Sequence, residues 1–159
     1  MDPLWSHPTG WANPQTVRAS AALEAAGAWD PAPTTVLSAY ATHLLLNFTY
    51  TRGAAGGAFD WQLETSIYSV AALVPAGASE WVTEPLFAGG AVVLNADSQS
   101  NVQRNYNTYG STAAGAEDFH FDIDLFGNVE RYRVIARESA DGVVGTPGTL
   151  AIVGELRIR

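Results

Sequence analysis

The chain has no cysteine and no lysine, and it is sparing with charge: eight basic residues, all arginine, against sixteen acidic ones in 159 positions. Without thiols there is no disulfide framework, no thiolate metal site and no cysteine nucleophile. Small secreted domains usually depend on such cross-links, so the composition leans toward a cytosolic or assembled protein. A formal net charge of −8 works against electrostatic attraction to nucleic acid or to an anionic membrane. The partners to expect are proteins, or neutral ligands such as sugars. No apolar run reaches the roughly 20 residues of a membrane-spanning helix, and Met1-Asp2-Pro3-Leu4-Trp5 lacks the basic region of a signal peptide. For the missing lysine the sequence offers no physical reason.

Signals for chemistry are equally thin. His7, His43 and His120 are scattered without metal-ligand spacing, and His43 reads as a hydrogen-bonded structural residue. No serine stands in a nucleophile elbow. The glycines from Gly53 to Gly57 and the pair Gly89-Gly90 are not followed by a helical pattern, so they are not phosphate loops. Asn95-Ala96-Asp97-Ser98 has oxygen ligands suited to calcium but lacks the rest of an EF-hand loop. Asn47-Phe48-Thr49 matches the glycosylation triplet from inside an expected strand. Glu64, Glu80 and Glu84 are carboxylates of the type glycoside hydrolysis needs, yet nothing separates them from a solvated strand face. The expectation is a non-catalytic protein with no cofactor and no metal.

What the chain does have is two-residue alternation. Phe119, Phe121, Ile123 and Leu125 alternate with Asp118, His120, Asp122 and Asp124, the period of a half-buried strand. Gly127-Asn128 offers the φ-permissive pair of a two-residue turn. A hairpin from Asp118 to Glu138 follows. It sets Asp124 opposite Arg131, Asp122 opposite Arg133 and Asp118 opposite Arg137, a structural charge ladder rather than a metal site. Each such pair contributes about 0.2–1 kcal/mol. Leu44, Leu46, Phe48 and Tyr50 share a face in Val36–Thr51, and Phe59, Trp61, Leu63 and Ile67 share one in the next strand. These two also read as a hairpin, with a glycine-rich tip at 52–57. A short strand at Glu80–Val82, strand-like pieces near Leu86-Phe87 and Ala91–Leu94, and a last strand carrying Leu150, Ile152, Leu156 and Ile158 complete the set, with Gly154 a bulge position. Seven to eight strands and little helix predict an all-β fold, an antiparallel sandwich or jelly roll.

Residues 1–34 differ from the domain expected at 35–159. They hold five prolines together with Trp5, Trp11 and Trp29, and Thr16 to Ala26 is alanine-rich with room for two or three helical turns before Gly27. Exposed indoles are costly. Such a segment either folds back on its own sandwich or forms an extended arm that docks on a neighbouring subunit. In the second case Trp5, Trp11 and Trp29 are its binding residues. The polar stretch 95–115 reads as a long surface loop in which Tyr106 and Tyr109 bind a partner or ligand. Trp61 and Trp81, with these tyrosines, also compose the residue set of a sugar-stacking platform, against which stands the core parity of Trp61.

Four segments carry a resemblance: Phe48-Thr49-Tyr50-Thr51-Arg52-Gly53-Ala54-Ala55-Gly56-Gly57, the strand Phe59 through Ser66, Tyr132-Arg133-Val134-Ile135-Ala136-Arg137-Glu138, and Thr146-Pro147-Gly148-Thr149-Leu150-Ala151-Ile152. In pattern and short phrases, over about 36–75 and 117–158, the chain resembles the small β-sandwich structural proteins of tailed-bacteriophage virions. Similar proteins continue the second strand into an Asp-Gly turn with a tryptophan soon after. Here Ser66-Ile67-Tyr68-Ser69 stands instead, and the next tryptophan is Trp81. The resemblance implies a capsid decoration or head- or tail-surface protein in a virion assembled in the host cytoplasm. Its partner would be the major capsid protein or another virion protein, it would be a homo-oligomer, and it would have no catalytic residues. The alternative is a carbohydrate-binding sandwich for host adhesion, with a glycan as ligand.

Overall fold

In the computed structural model the described residues are 14–24, 28–38, 41–53, 58–84, 107–110, 115–125, 129–138 and 147–158. They form nine strands and no α-helix: β1 (Gln15–Ala22), β2 (Val36–Leu37), β3 (Ala41–Thr51), β4 (Ala58–Ser66), β5 (Val82–Thr83), β6 (Asn107–Gly110), β7 (Ala116–Asp124), β8 (Arg131–Glu138) and β9 (Thr149–Ile158). One antiparallel sheet (sheet A) has the order β1-β9-β3-β7. The other (sheet B) runs β2-β8-β4-β5, with β6 also pairing with β4. From β1 to β4 and again from β6 to β9 every connection crosses between sheets. Only β4, β5 and β6 follow one another within one sheet. The two packed antiparallel sheets are the all-β sandwich that the sequence pattern predicts, and their interleaving is the arrangement of a jelly roll.

The inward faces are those the sequence parity marks, except that Ile67, expected beside Phe59, Trp61 and Leu63, lies past the end of β4 and is exposed. Leu44, Leu46, Phe48 and Tyr50 of β3, Phe59, Trp61 and Leu63 of β4, Tyr132, Val134 and Ala136 of β8, and Leu150, Ile152 and Leu156 of β9 are all buried in one core. Each large side chain among them contributes roughly 1.5–3 kcal/mol through the water it sheds. Phe48 sits at the centre, 4.8 Å from the ring centroids of both Trp61 and Phe119. Gly154 is not a bulge: it pairs in register with Leu46. A Cβ there would overlap the Tyr132 hydroxyl and stand 2.9 Å from Val17 Cγ2, so glycine is what lets β9 pass this close to a tyrosine from the opposite sheet.

Several expectations are overturned. The helix expected over Thr16 to Ala26 does not form in its described part: β1 pairs antiparallel with β9 from Gln15↔Gly154 to Ala22↔Thr149. Val17 and Leu23 are core residues at 1% and 3% exposure, so over 15–24 the segment packs on its own sandwich. Pairing with β9 and the burial of Val17 and Leu23 outweigh alanine's helix propensity, which is the highest of any residue but exceeds that of ordinary residues by less than about 1 kcal/mol per residue. The hairpin of β3 and β4 does not form, because β3 lies in sheet A and β4 in sheet B. Nor do β7 and β8 pair: β7 adds to β3, and β8 lies between β4 and β2. The turn pair Gly127-Asn128 lies outside the described residues, as do the strand-like pieces around 86–87 and 91–94. The expected strand Glu80–Val82 is Val82–Thr83, and the expected loop 95–115 contains β6.

Candidate partner-binding surfaces

The charge ladder exists, but between other partners. Asp118, Asp122 and Asp124 do not face Arg137, Arg133 and Arg131. In the β4–β8 register Asp60 stands opposite Arg137 and Glu64 opposite Arg133. Arg137 Nε lies 2.9 Å from Asp60 Oδ2, Arg133 pairs with Glu64, and Arg131 Nη2 lies 2.7 Å from Glu80 Oε1. Asp60 and Glu64 have the same four-residue spacing as Asp118 and Asp122, so either row suits these arginines. The outer face of sheet B wins because it is covered. The Arg133 and Arg131 guanidinium carbons stand 4.3 and 5.1 Å from the Trp81 ring centroid, and that of Arg137 stands 4.3 Å from Trp29. Cation–π attraction strengthens as water is excluded.

These contacts place several sequence candidates. Trp29 is half-buried against Arg137 and Trp81 lies beneath two arginines, while Trp61 is a core residue, as its parity with Phe59 and Leu63 predicts. Tyr109, on β6, stacks on Phe119 with centroids 3.9 Å apart and donates its hydroxyl to Glu117 at 3.4 Å. Burial, with the neighbouring Glu117 carboxylate, raises its pKa. Trp61, Trp81 and Tyr109 of the stacking-platform reading are therefore not gathered as one flat surface; Tyr106, Trp5 and Trp11 lie outside the described residues. Glu64 and Glu80 hold arginines, and Glu84 accepts a hydrogen bond from Thr65 Oγ1.

His43 is hydrogen-bonded, with Nε2 2.8 Å from Asp124 Oδ1 and Nδ1 3.1 Å from Thr42 Oγ1. Asp118 Oδ1 accepts from Thr49 Oγ1 at 2.6 Å. Among the described residues no three His, Asp or Glu side chains gather as a metal-binding group. Two junctions hold the sandwich together instead. Asp30 accepts from Arg18 Nε at 3.0 Å and from the Ala136 amide at 3.2 Å, tying β1 of sheet A to β8 of sheet B. Glu138 accepts from the Gly148 amide at 3.1 Å, and Gly148 O accepts from Leu23 N at 2.8 Å. Burial chiefly raises the Glu138 pKa. The Gly148 hydrogen bond opposes the rise and Asp60 adds to it. Burial, and next the Glu138 charge, push the Tyr50 hydroxyl up to about 12.

The surface that sequence reasoning missed joins β4 to β5. From Ile67 to Ser79 there is no charged side chain, yet the segment is not buried: Ile67, Val70 and Leu73 are 63%, 51% and 60% exposed, and Val82 at its end is 59% exposed. A 3-10 turn at Ala71–Leu73 presents the tip. Beyond it, Ala78 N donates to Pro75 O at 3.0 Å, and Gly77 has φ +83°, the left-handed third position of a type II turn. The base is clamped by Arg131, whose Nε donates to Tyr68 O at 2.6 Å, and by Ser66 Oγ, which accepts from Tyr68 N at 3.2 Å. An apolar surface held in place at its base is a ready contact for another protein. No sequence signal singles it out, because a charge-free apolar run such as Ile67 to Ser79 suits a buried strand as well as an exposed loop.

No protein-family profile matches the chain, and no curated protein matches it.

Proposed function

We propose that this jelly roll is a non-catalytic structural protein that docks onto a protein lattice through the Ile67–Val82 loop. The lattice would be a tailed-phage virion, on which the chain serves as a capsid decoration or head- or tail-surface protein. The observation that carries the reading is the loop itself. Its exposed Ile67, Val70, Leu73 and Val82 face water, while the arginine at its base is spent on fixing its shape. Little ordering is then left to be done on binding, which favours affinity from a small contact. Jelly rolls serve as viral capsid and lectin domains alike, so the fold is compatible with the virion role without selecting it. The virion setting rests on the resemblance of the four segments.

Cosedimentation of the purified chain with phage heads tests the reading. The wild type is expected to be retained to saturation. Val70→Asp/Leu73→Asp, with its fold checked by circular dichroism, should bind at least about tenfold more weakly, since two central apolar contacts are replaced by desolvated charge. Equal retention of both proteins, or no retention of the wild type, overturns the reading.

A further inference from the structure

The four edges of the two sheets are not treated alike. β1 carries two register shifts, between Thr16 and Arg18 and between Arg18 and Ala21. There the Arg18 guanidinium folds over the edge onto the carbonyls of Ala21, Ala22 and Leu150. β2 has two residues, and Asp30 takes up the Ala136 amide and carbonyl farther along β8. The far side of β4 carries only the short β5 and β6. Bulges, proline, charged side chains and shortness are the usual guards against unwanted strand pairing. β7 has only the charge, and that of one sign: Asp118, Asp122 and Asp124. It is nine residues long, has no proline, and keeps an unbroken register with β3 from Asp124↔His43 to Ala116↔Thr51. Among the described residues no strand pairs with its other side.

The direction of its amides follows from one bond. Leu125 N donates to Thr42 O at 2.9 Å, and along an antiparallel strand the hydrogen-bonding groups alternate sides. The amides of Ile123, Phe121 and Phe119 therefore face β3, and those of Asp124, Asp122, His120 and Asp118 face the open side. The same four residues present their side chains to solvent, while Phe119, Phe121 and Ile123 are only half-buried against the core. Among the described residues the edge thus offers an unpaired backbone ladder, a row of acid on one face and an apolar lip on the other.

We infer that β7 accepts an added strand from a protein partner, one that alternates arginine or lysine with apolar side chains. Backbone pairing on an exposed edge supplies affinity, and alternate side chains supply choice. A second copy of β7 fits poorly, because an antiparallel pair about Phe121 would set Asp118 against Asp124, and like charges directly opposite are destabilising. A basic strand meets the carboxylates with opposite charge and places its apolar side over Phe119, Phe121 and Ile123. The chain itself contains the pattern: Arg131-Tyr132-Arg133-Val134-Ile135-Ala136-Arg137 has complementary charge and periodicity, but is itself occupied in the middle of sheet B. This surface is distinct from the Ile67–Val82 loop.

The test uses the full chain and a synthetic peptide with the sequence from Glu130 to Glu138. Saturable binding is expected, with amide exchange slowed at His120 and Asp122. The peptide carrying Arg131→Glu, Arg133→Glu and Arg137→Glu should bind at least about tenfold more weakly if charge selects the strand. Asp122→Pro removes an outward-facing amide without touching a bond to β3, which an edge strand tolerates, and should weaken binding at least about tenfold. If that variant does not fold, His120→Pro replaces it, and Asp122→Arg together with exchange on the wild type decides without either. No binding of the parent peptide at millimolar concentration, unchanged exchange in β7, or equal affinity of a folded proline variant overturns the inference. The last outcome would mean that the peptide merely adheres to an acidic surface. Val70→Asp/Leu73→Asp should leave peptide binding unchanged, so failure here and failure of the docking loop are told apart.

Discussion

β7 and β8 are consecutive strands with complementary charge, and the fold treats them in opposite ways. β8 lies inside sheet B, flanked by β4 and β2. Its arginines are paired, and the Arg131 and Arg137 side chains are only 9% and 14% exposed. β7 is an edge, and the Asp124 side chain is 59% exposed. The comparison separates two meanings of a charge pattern. On β8, charge is structural, because two tryptophans and the 28–30 segment remove water from it. On β7, charge lies in water, where the pairing of Asp124 with His43 and of Asp118 with Thr49 contributes little to folding.

The largest effect expected from breaking this contrast is at Asp60. Its side chain is 3% exposed and faces Arg137, so Asp60→Ala leaves a guanidinium in a largely dry site. Loss of one partner of a buried pair typically destabilises by about 3–5 kcal/mol, and a loss near about 3 kcal/mol is expected in urea unfolding. A change under about 1 kcal/mol would show that the outer face of sheet B is as wet as that of β7.

The period of the strands was legible in the sequence, and their pairing was not. Alternation marks Phe48, Trp61, Val134 and Ile152 as inward-facing, because that information lies within each strand. It cannot say which strands are neighbours. Phe119 and Phe121 face the same interior whether β7 pairs with β8 or with β3, and Arg133 is matched as well by Glu64 as by Asp122. Crossing between sheets resolves that degeneracy, and crossing is a property of the whole chain. The Ile67–Val82 loop escaped for another reason: an apolar loop shares its composition with a buried strand, and only exposure distinguishes them.

A smaller effect is expected at the junction of Glu138. Its pKa is raised above the ordinary 4.5, so the folded chain holds this proton to a higher pH than the unfolded chain does. Its contribution to stability is complete below about 4.5 and is lost as pH rises through the folded value. Glu138→Gln keeps an oxygen to accept from Gly148 N and removes the buried charge. Denaturation midpoints compared at acid and neutral pH should show the variant gaining on the wild type as pH rises. Parallel curves would mean that the Gly148 hydrogen bond offsets burial completely.

The smallest effect is the sharpest check on the comparison. Asp122 lies opposite Leu45 on β3, not opposite an arginine, and its face of β7 is solvent-exposed. Asp122→Asn should change folding stability by no more than about 0.5 kcal/mol, the range of ordinary surface substitutions, and in a chain of net charge −8 relief of repulsion favours a slight gain. The same substitution should measurably weaken capture of the arginine-bearing peptide, because there the carboxylate would gain a partner it lacks within the described fold. A stability loss comparable to that of Asp60→Ala would place Asp122 in an ion pair and return β7 to the role the sequence pattern first suggests. Unchanged stability together with weaker capture would assign the acidic row of β7 to binding rather than to folding.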